Sequence, residues 1–260
     1  MDWLTIAVAA VFFGATCIRS AFGFGEALIA VPLLSFVMPV DVAAPVAVLV
    51  SITVAAVVVA QDWRHVQLRS AAWLVLSTLL GIPFGLLMLR TVPEPIVKGV
   101  LGAIVAGFAV SALRSRHAFE LTNDRWAWLF GVSAGVLGGA YGMNGPPLVM
   151  YGSLRRWSPE RFRATLQGYF LPASVMGMAG YWAAGLWTSK VNRYFLLSLP
   201  TVIVAIALGR AINRRVDAHR FFVFVHVGLI AVGLALLLMS LMTVASHRPF
   251  ASLVYCVLTE

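Results

Sequence analysis

The sequence predicts an all-α polytopic membrane protein made of two inverted-topology repeats, each a broken re-entrant helical hairpin plus three transmembrane helices. Three observations carry that expectation. Of 260 residues, 61% are hydrophobic and 11% charged, against about 25% charged in soluble domains; the mean hydropathy is +0.92. Two of the apolar stretches are interrupted by glycine and proline at matching places in the two halves. The basic residues gather in short clusters between apolar runs.

Taken in order, residues 3–19 and 27–38 read as two short helical pieces around a break at Gly23 and Gly25. Residues 42–61, 71–89 and 96–113 are each close to the roughly 20 apolar residues that a helix needs to cross a bilayer. The second half repeats the order. Residues 126–140 and 147–154 flank the break Gly142-Met-Asn144-Gly145-Pro146-Pro147, and spans are expected over 164–187, 194–209 and 221–244. Residues 1–114 then form the first repeat, 115–125 a cytoplasmic linker, 126–244 the second repeat and 245–260 a C-terminal tail, peripheral or disordered.

Charge chooses the topology. The basic clusters at 64–69, 114–125, 155–163 and 210–220 all fall on one side only if each broken region enters and leaves by the same face, with the N-terminus outside. Arg90, Lys98, Lys190, Arg193 and Arg248 are then left on the other side. Positive loops belong in the cytoplasm. Eight single crossings, by contrast, put most basic residues outside in one orientation and strand the 64–69 and 114–125 clusters there in the other. A hairpin plus three spans is an odd number of crossings, so the halves point in opposite directions. Sequence symmetry itself is thin: a shift of 119 residues pairs Gly23 with Gly142, Asp41 with Glu160 and Trp63 with Trp182.

The same distribution excludes other classes. A net charge of +9 confined to short loops is a topology signal, not the continuous basic face of a nucleic-acid binder. Cys17 and Cys256 lie at opposite ends with no metal-ligand spacing. No metal, cofactor or nucleotide-binding motif is indicated, and the N-terminal apolar segment reads as retained. Trp63, Trp126, Trp128, Trp157, Trp182 and Trp187 sit near span ends, as interfacial anchors do.

Broken segments at corresponding positions of two halves point to a binding site near mid-membrane. At these segments the chain resembles the TauE/SafE family of membrane transporters. The match is carried by Gly23-Phe-Gly25-Glu26-Ala-Leu-Ile-Ala-Val-Pro32-Leu33-Leu34, by Ala43-Ala44-Pro45 and by Gly81-Ile-Pro83-Phe-Gly85. In the second half, Gly142 to Leu148 and Arg163-Ala164-Thr165 fit less closely. Glu26 stands where the family usually has glycine. The resemblance implies export of small sulfur-containing anions.

The candidate substrate-binding residues are Arg19, Gly23, Gly25, Glu26, Gly142, Asn144, Gly145, Pro146, Thr165 and Gln167. Half-helices beginning near Ala27 and Pro147 would aim unsatisfied N–H groups and a partial positive charge at an anion; alternatively the glycines only permit tight helix packing. Arg19 and Glu26 are ionisable at membrane depth, where charge is functional by default, as a ligand and a proton-coupling group or as a structural pair. Asn144 and Gln167 offer amide donors. Thr165 serves equally as polar glue, and Arg163 reads as a cytoplasmic anchor. His226 is a second proton-coupling candidate, or a histidine bonded to a neighbouring helix.

The expectation is a multi-pass secondary transporter of the plasma or inner membrane, not an enzyme. It would export a small anion, sulfite or an organosulfonate, by alternating access. A passive anion channel on the same scaffold and an intramembrane enzyme are the alternatives. The expected partners are the anionic substrate and the lipid bilayer, with a homodimer as an option and no nucleic acid.

Overall fold

The computed structural model describes residues 3–62, 67–114, 121, 124–155, 157, 159–213, 227, 230–231 and 233–243. Among them the regular structure is helical. In chain order these are α1 (Trp3–Phe22), α2 (Glu26–Leu34), α3 (Val40–Asp62), α4 (Leu68–Thr91), α5 (Glu94–Arg114), α6 (Ala127–Tyr141), α7 (Gly145–Leu154), α8 (Pro159–Ala183) and α9 (Ser189–Asn213). A further helix, α10, covers Gly233–Thr243. Helices α1, α3, α4, α5 and α9 are long and apolar enough to cross a bilayer. The chain is a multi-pass membrane protein.

Both predicted breaks are present, and they share a geometry. Gly23 and Gly142 each end a helix at positive φ, 90° and 66°. Each N–H closes on the carbonyl four residues back, Gly23 on Arg19 at 2.6 Å and Gly142 on Gly138 at 2.9 Å. This is the left-handed helix terminus that glycine adopts without steric cost. Gly25 then starts α2 with φ 103°. A shift of 119 residues also relates the first residues of α2 and α7, Glu26 and Gly145, and those of α3 and α8, Val40 and Pro159.

Two elements differ from expectation. The first piece is not a short half-helix: α1 runs 20 residues, about 30 Å, because Gly14 alone does not interrupt its hydrogen-bond ladder before Gly23. In turn α2 is only nine residues, since the Ser35 hydroxyl donates to the Pro32 carbonyl at 2.7 Å and the chain turns. Helix α8 has the length of a span but is not among the five apolar enough to count as one; it carries buried Thr165, Gln167 and Ser174. Of the last expected span, 221–244, residues 227, 230–231 and 233–243 are described, and the 245–260 tail lies outside the described residues.

Packing exchanges the halves. Helix α6 lies alongside α4 in the same direction: Leu74 and Ser77 meet Gly131, and Gly85 meets Gly139 and Ala140. Gly81 and Gly85 on α4 face Gly135 and Gly139 on α6, with no room for a Cβ. Small residues four apart let helix backbones approach closely where lipid removes the hydrophobic drive. Likewise α1 runs beside α9 in the same direction, Thr201 bonding the Ala9 carbonyl and Gly209 resting on Cys17 and Ser20. Helices α5 and α10 cross antiparallel, Gly102 against Gly233 and Gly99 against Ser240.

Three connections share one end of the bundle. The Gln67 N–H donates to Thr165 Oγ1 at 3.2 Å. Leu121 donates to the Leu154 carbonyl at 2.9 Å and accepts from the Arg155 guanidinium at 3.1 Å. Exposed Leu80, Phe84, Leu87, Leu196 and Ile203 lie on outward faces of α4 and α9, as a lipid-facing surface requires. Trp126, Trp128, Trp182 and Trp187 are exposed near helix ends.

Candidate functional site

Arg19 lies in the last turn of α1 and is 3% exposed. A guanidinium at such depth must find partners, and it draws them from three other helices. One Nη donates to Glu26 Oε2 on α2 at 2.6 Å and to Ser51 Oγ on α3 at 2.7 Å; the other donates to Gln167 Oε1 on α8 at 3.1 Å. Its Nε is buried and has no hydrogen-bond partner among the described residues. The Phe170 ring lies 4.9 Å from the guanidinium carbon, within reach of a cation–π contact.

Glu26, the first residue of α2, is 2% exposed. Its second oxygen accepts from Thr16 Oγ1 at 2.6 Å. At the N-terminus of α2 the carboxylate also meets the helix's positive end. Gln167 is engaged at both ends: its oxygen accepts from Arg19, and its nitrogen donates to the Gly23 carbonyl at 2.6 Å. A helix of the second half thus fixes both the cation and the turn of the first.

The second turn is polar but uncharged. Thr78 Oγ1 lies within hydrogen-bond distance of the Leu74 carbonyl, the Gly131 carbonyl and the Tyr169 hydroxyl, the last at 2.6 Å. Asn144 also bonds the Tyr169 hydroxyl, which ties the second turn to α8. Gly138 makes room: a Cβ there would stand 3.2 Å from the Asn144 amide.

Between the two turns lies a cavity of about 350 Å³, its mouth included. As it stands the cavity is nearly closed, with room for only about 30 Å³ of water-sized contents, far below the roughly 300–1,000 Å³ of ligand pockets. The sequence candidates Arg19, Gly25, Glu26, Gly142, Asn144 and Gly145 line it. The start of α2 reaches it through Ala27 and Leu28 and the start of α7 through Gly145, so two helix N-termini from different halves meet there. They are unequal. Helix α2 opens with backbone N–H groups, whereas Pro146 and Pro147 remove two donors from α7.

Other candidates lie elsewhere. Gly23 and Gln167 stand behind the cavity and hold Arg19. Pro146 is buried in the first turn of α7 without lining the cavity, and Thr165 accepts from Gln67 at the end of the bundle. His226 lies outside the described residues. Sequence reading missed Thr16, Ser51 and the lining residues Phe24, Met143 and Phe170. Ser51 had a signal: it and Thr53 are the polar residues in the apolar run from 42 to 60. The phenylalanines had none, because an aromatic facing a cavity and one facing lipid read alike. Among the described residues, no three His, Cys, Asp or Glu side chains are grouped to hold a metal.

The family pattern of the sulfite exporter TauE/SafE matches residues 7–236, from α1 into α10. The chain belongs to the TauE/SafE family. A TauE/SafE relative from Cupriavidus necator, described as a probable sulfite/organosulfonate exporter, is 25% identical over 202 residues, covering 75% of this chain and 78% of that one. No solved structure matches the chain. The TauE/SafE match encompasses both broken segments and every described residue that lines the cavity.

Proposed function

We propose that the protein is a secondary transporter that exports a small sulfur oxyanion or organosulfonate across the cell membrane by alternating access. The observation that carries this reading is the buried Arg19 guanidinium, facing a cavity bounded by the breaks of both halves. An oxyanion there would meet a fixed cation, the Ser51 hydroxyl, the Asn144 amide and the first N–H groups of α2, the donors that anion binding requires. The family and the relative's description support the same substrate class.

The two halves act in this reading as inverted repeats, each a hairpin and three spans. The exchange of partners supports it: α1 packs on α9 and α6 on α4, each pair in the same direction. A 119-residue shift carries one relationship into the other. Gln167 meets the turn at Gly23, and Val48, its counterpart, meets the turn at Gly142. Rocking of the α1/α9 and α6/α4 pairs about α3 and α8 would open the cavity to each side in turn, the usual motion about a midplane site. The Glu26 carboxylate competes with substrate for Arg19, so an anion that takes Arg19 requires Glu26 either to bind a proton or to gain another cation.

Flux of sulfite and a panel of sulfonates in proteoliposomes, with and without an imposed proton gradient, tests the proposal. Arg19→Ala abolishes transport while leaving the protein folded enough to purify. Gradient-insensitive flux that rises without saturation would identify a passive channel instead.

A further inference from the structure

The cavity holds one buried cation and one buried anion, and they are paired with each other. Arg19 and Glu26 both line it, 2.6 Å apart, with side chains 3% and 1% exposed. Charge at membrane depth is tolerated when it is balanced. A monoanion that replaced Glu26 on Arg19 would leave that carboxylate buried without its cation, and removing one partner of a buried pair is strongly unfavourable. A ligand with its own ammonium group avoids this, because it supplies a cation to Glu26 as its oxyanion takes Arg19.

The remainder of the lining fits such a ligand. Arg19 Nε, which has no hydrogen-bond partner among the described residues, is a spare donor for the oxyanion, and the Ser51 hydroxyl, which accepts from Arg19 and lies 3.1 Å from Ser174 Oγ, has one proton of its own to give. Glu26 Oε1 stays anchored by Thr16, so the carboxylate keeps its place when Oε2 changes partner. Phe24, Met143 and Phe170 are apolar walls, which a bare inorganic anion does not use and a short carbon chain does.

We infer that the preferred substrate is a small zwitterion, an oxyanion and an ammonium joined by a short carbon chain, with Glu26 as the specificity-determining residue. This deepens the export reading and rests on it. The ammonium inserts between Glu26 and Arg19 in place of the internal ion pair, and the site stays electrically neutral through the transport cycle. A chain with an uncharged residue at position 26 would instead take simple monoanions.

Binding calorimetry on the purified full-length chain at neutral pH compares 3-aminopropanesulfonate with propanesulfonate, ligands that differ only in the ammonium, beside sulfite. Wild type should bind the amino compound at least tenfold tighter, and Glu26→Gln should reverse that order. Equal affinities, or tighter propanesulfonate binding with proton uptake on repeating the titration in a second buffer, overturn the inference and leave the anion reading standing. If neither sulfonate nor sulfite binds, both fall. Should Glu26→Gln not fold, the wild-type comparison decides by itself.

Discussion

Gln167 donates to the backbone carbonyl of Gly23 at 2.6 Å, across 144 positions of sequence. The turn of the first hairpin is thereby held by a helix of the second half. The same amide accepts from Arg19, so one side chain sets both the backbone break and the direction of the buried cation.

Replacing Gln167 with leucine keeps the volume but leaves the Gly23 carbonyl and one Arg19 N–H unsatisfied. Each orphaned buried group costs about 1–3 kcal/mol. A lowered melting temperature in detergent and at least tenfold slower transport are expected. Wild-type stability in this variant would show that water replaces the amide.

The Arg19–Glu26 pair predicts non-additive mutants. Arg19→Met or Glu26→Leu alone strands a charge and should destabilise by about 3–5 kcal/mol, whereas the double replacement should recover much of that loss. Thermal unfolding of the three variants measures it. The double variant should remain unable to transport, which separates stability from function.

Helix contact predicts which glycines matter. Gly85→Ala would drive a Cβ into the Val136 carbonyl on α6, a contact made of backbone that cannot yield; loss of folded protein in membranes is expected. Gly107→Ala meets nothing within 4 Å and should stabilise α5 by about 0.5–1 kcal/mol. Melting curves of the two variants should move in opposite directions.

Topology is testable with single cysteines in a background lacking Cys17 and Cys256. Positions 114 and 161, both exposed, should react with an impermeant maleimide only from the cytoplasm. Positions 94 and 193, also exposed, should react only from outside. Labelling of 161 from outside would sink the paired hairpins.

The breaks were readable because glycine at positive φ and paired prolines leave a signature in an otherwise apolar run. Arg19, Glu26 and Asn144 stood out for a related reason, as polar groups where lipid depth forbids casual polarity. Ser51, Thr16 and Phe170 did not, since their roles arise only from what lies opposite. Gly81 and Gly85 were noticed as part of a family resemblance. Their physical task, admitting α6 along α4, became visible only when Gly135 and Gly139 appeared against them.

By itself the sequence determined that the chain is helical and membrane-spanning, where its two interruptions fall, and which charges lie between the spans. These properties follow from local composition: apolar length, backbone permissiveness and the cost of charge in lipid act residue by residue. Tertiary structure alone decided that α1 joins α9 and α6 joins α4, that Gln167 reaches Gly23, and that Arg19 and Glu26 share one cavity with Asn144. The reason is that helix association in lipid depends on close backbone fit and a few interhelical hydrogen bonds, and the partners in each contact come from distant parts of the chain.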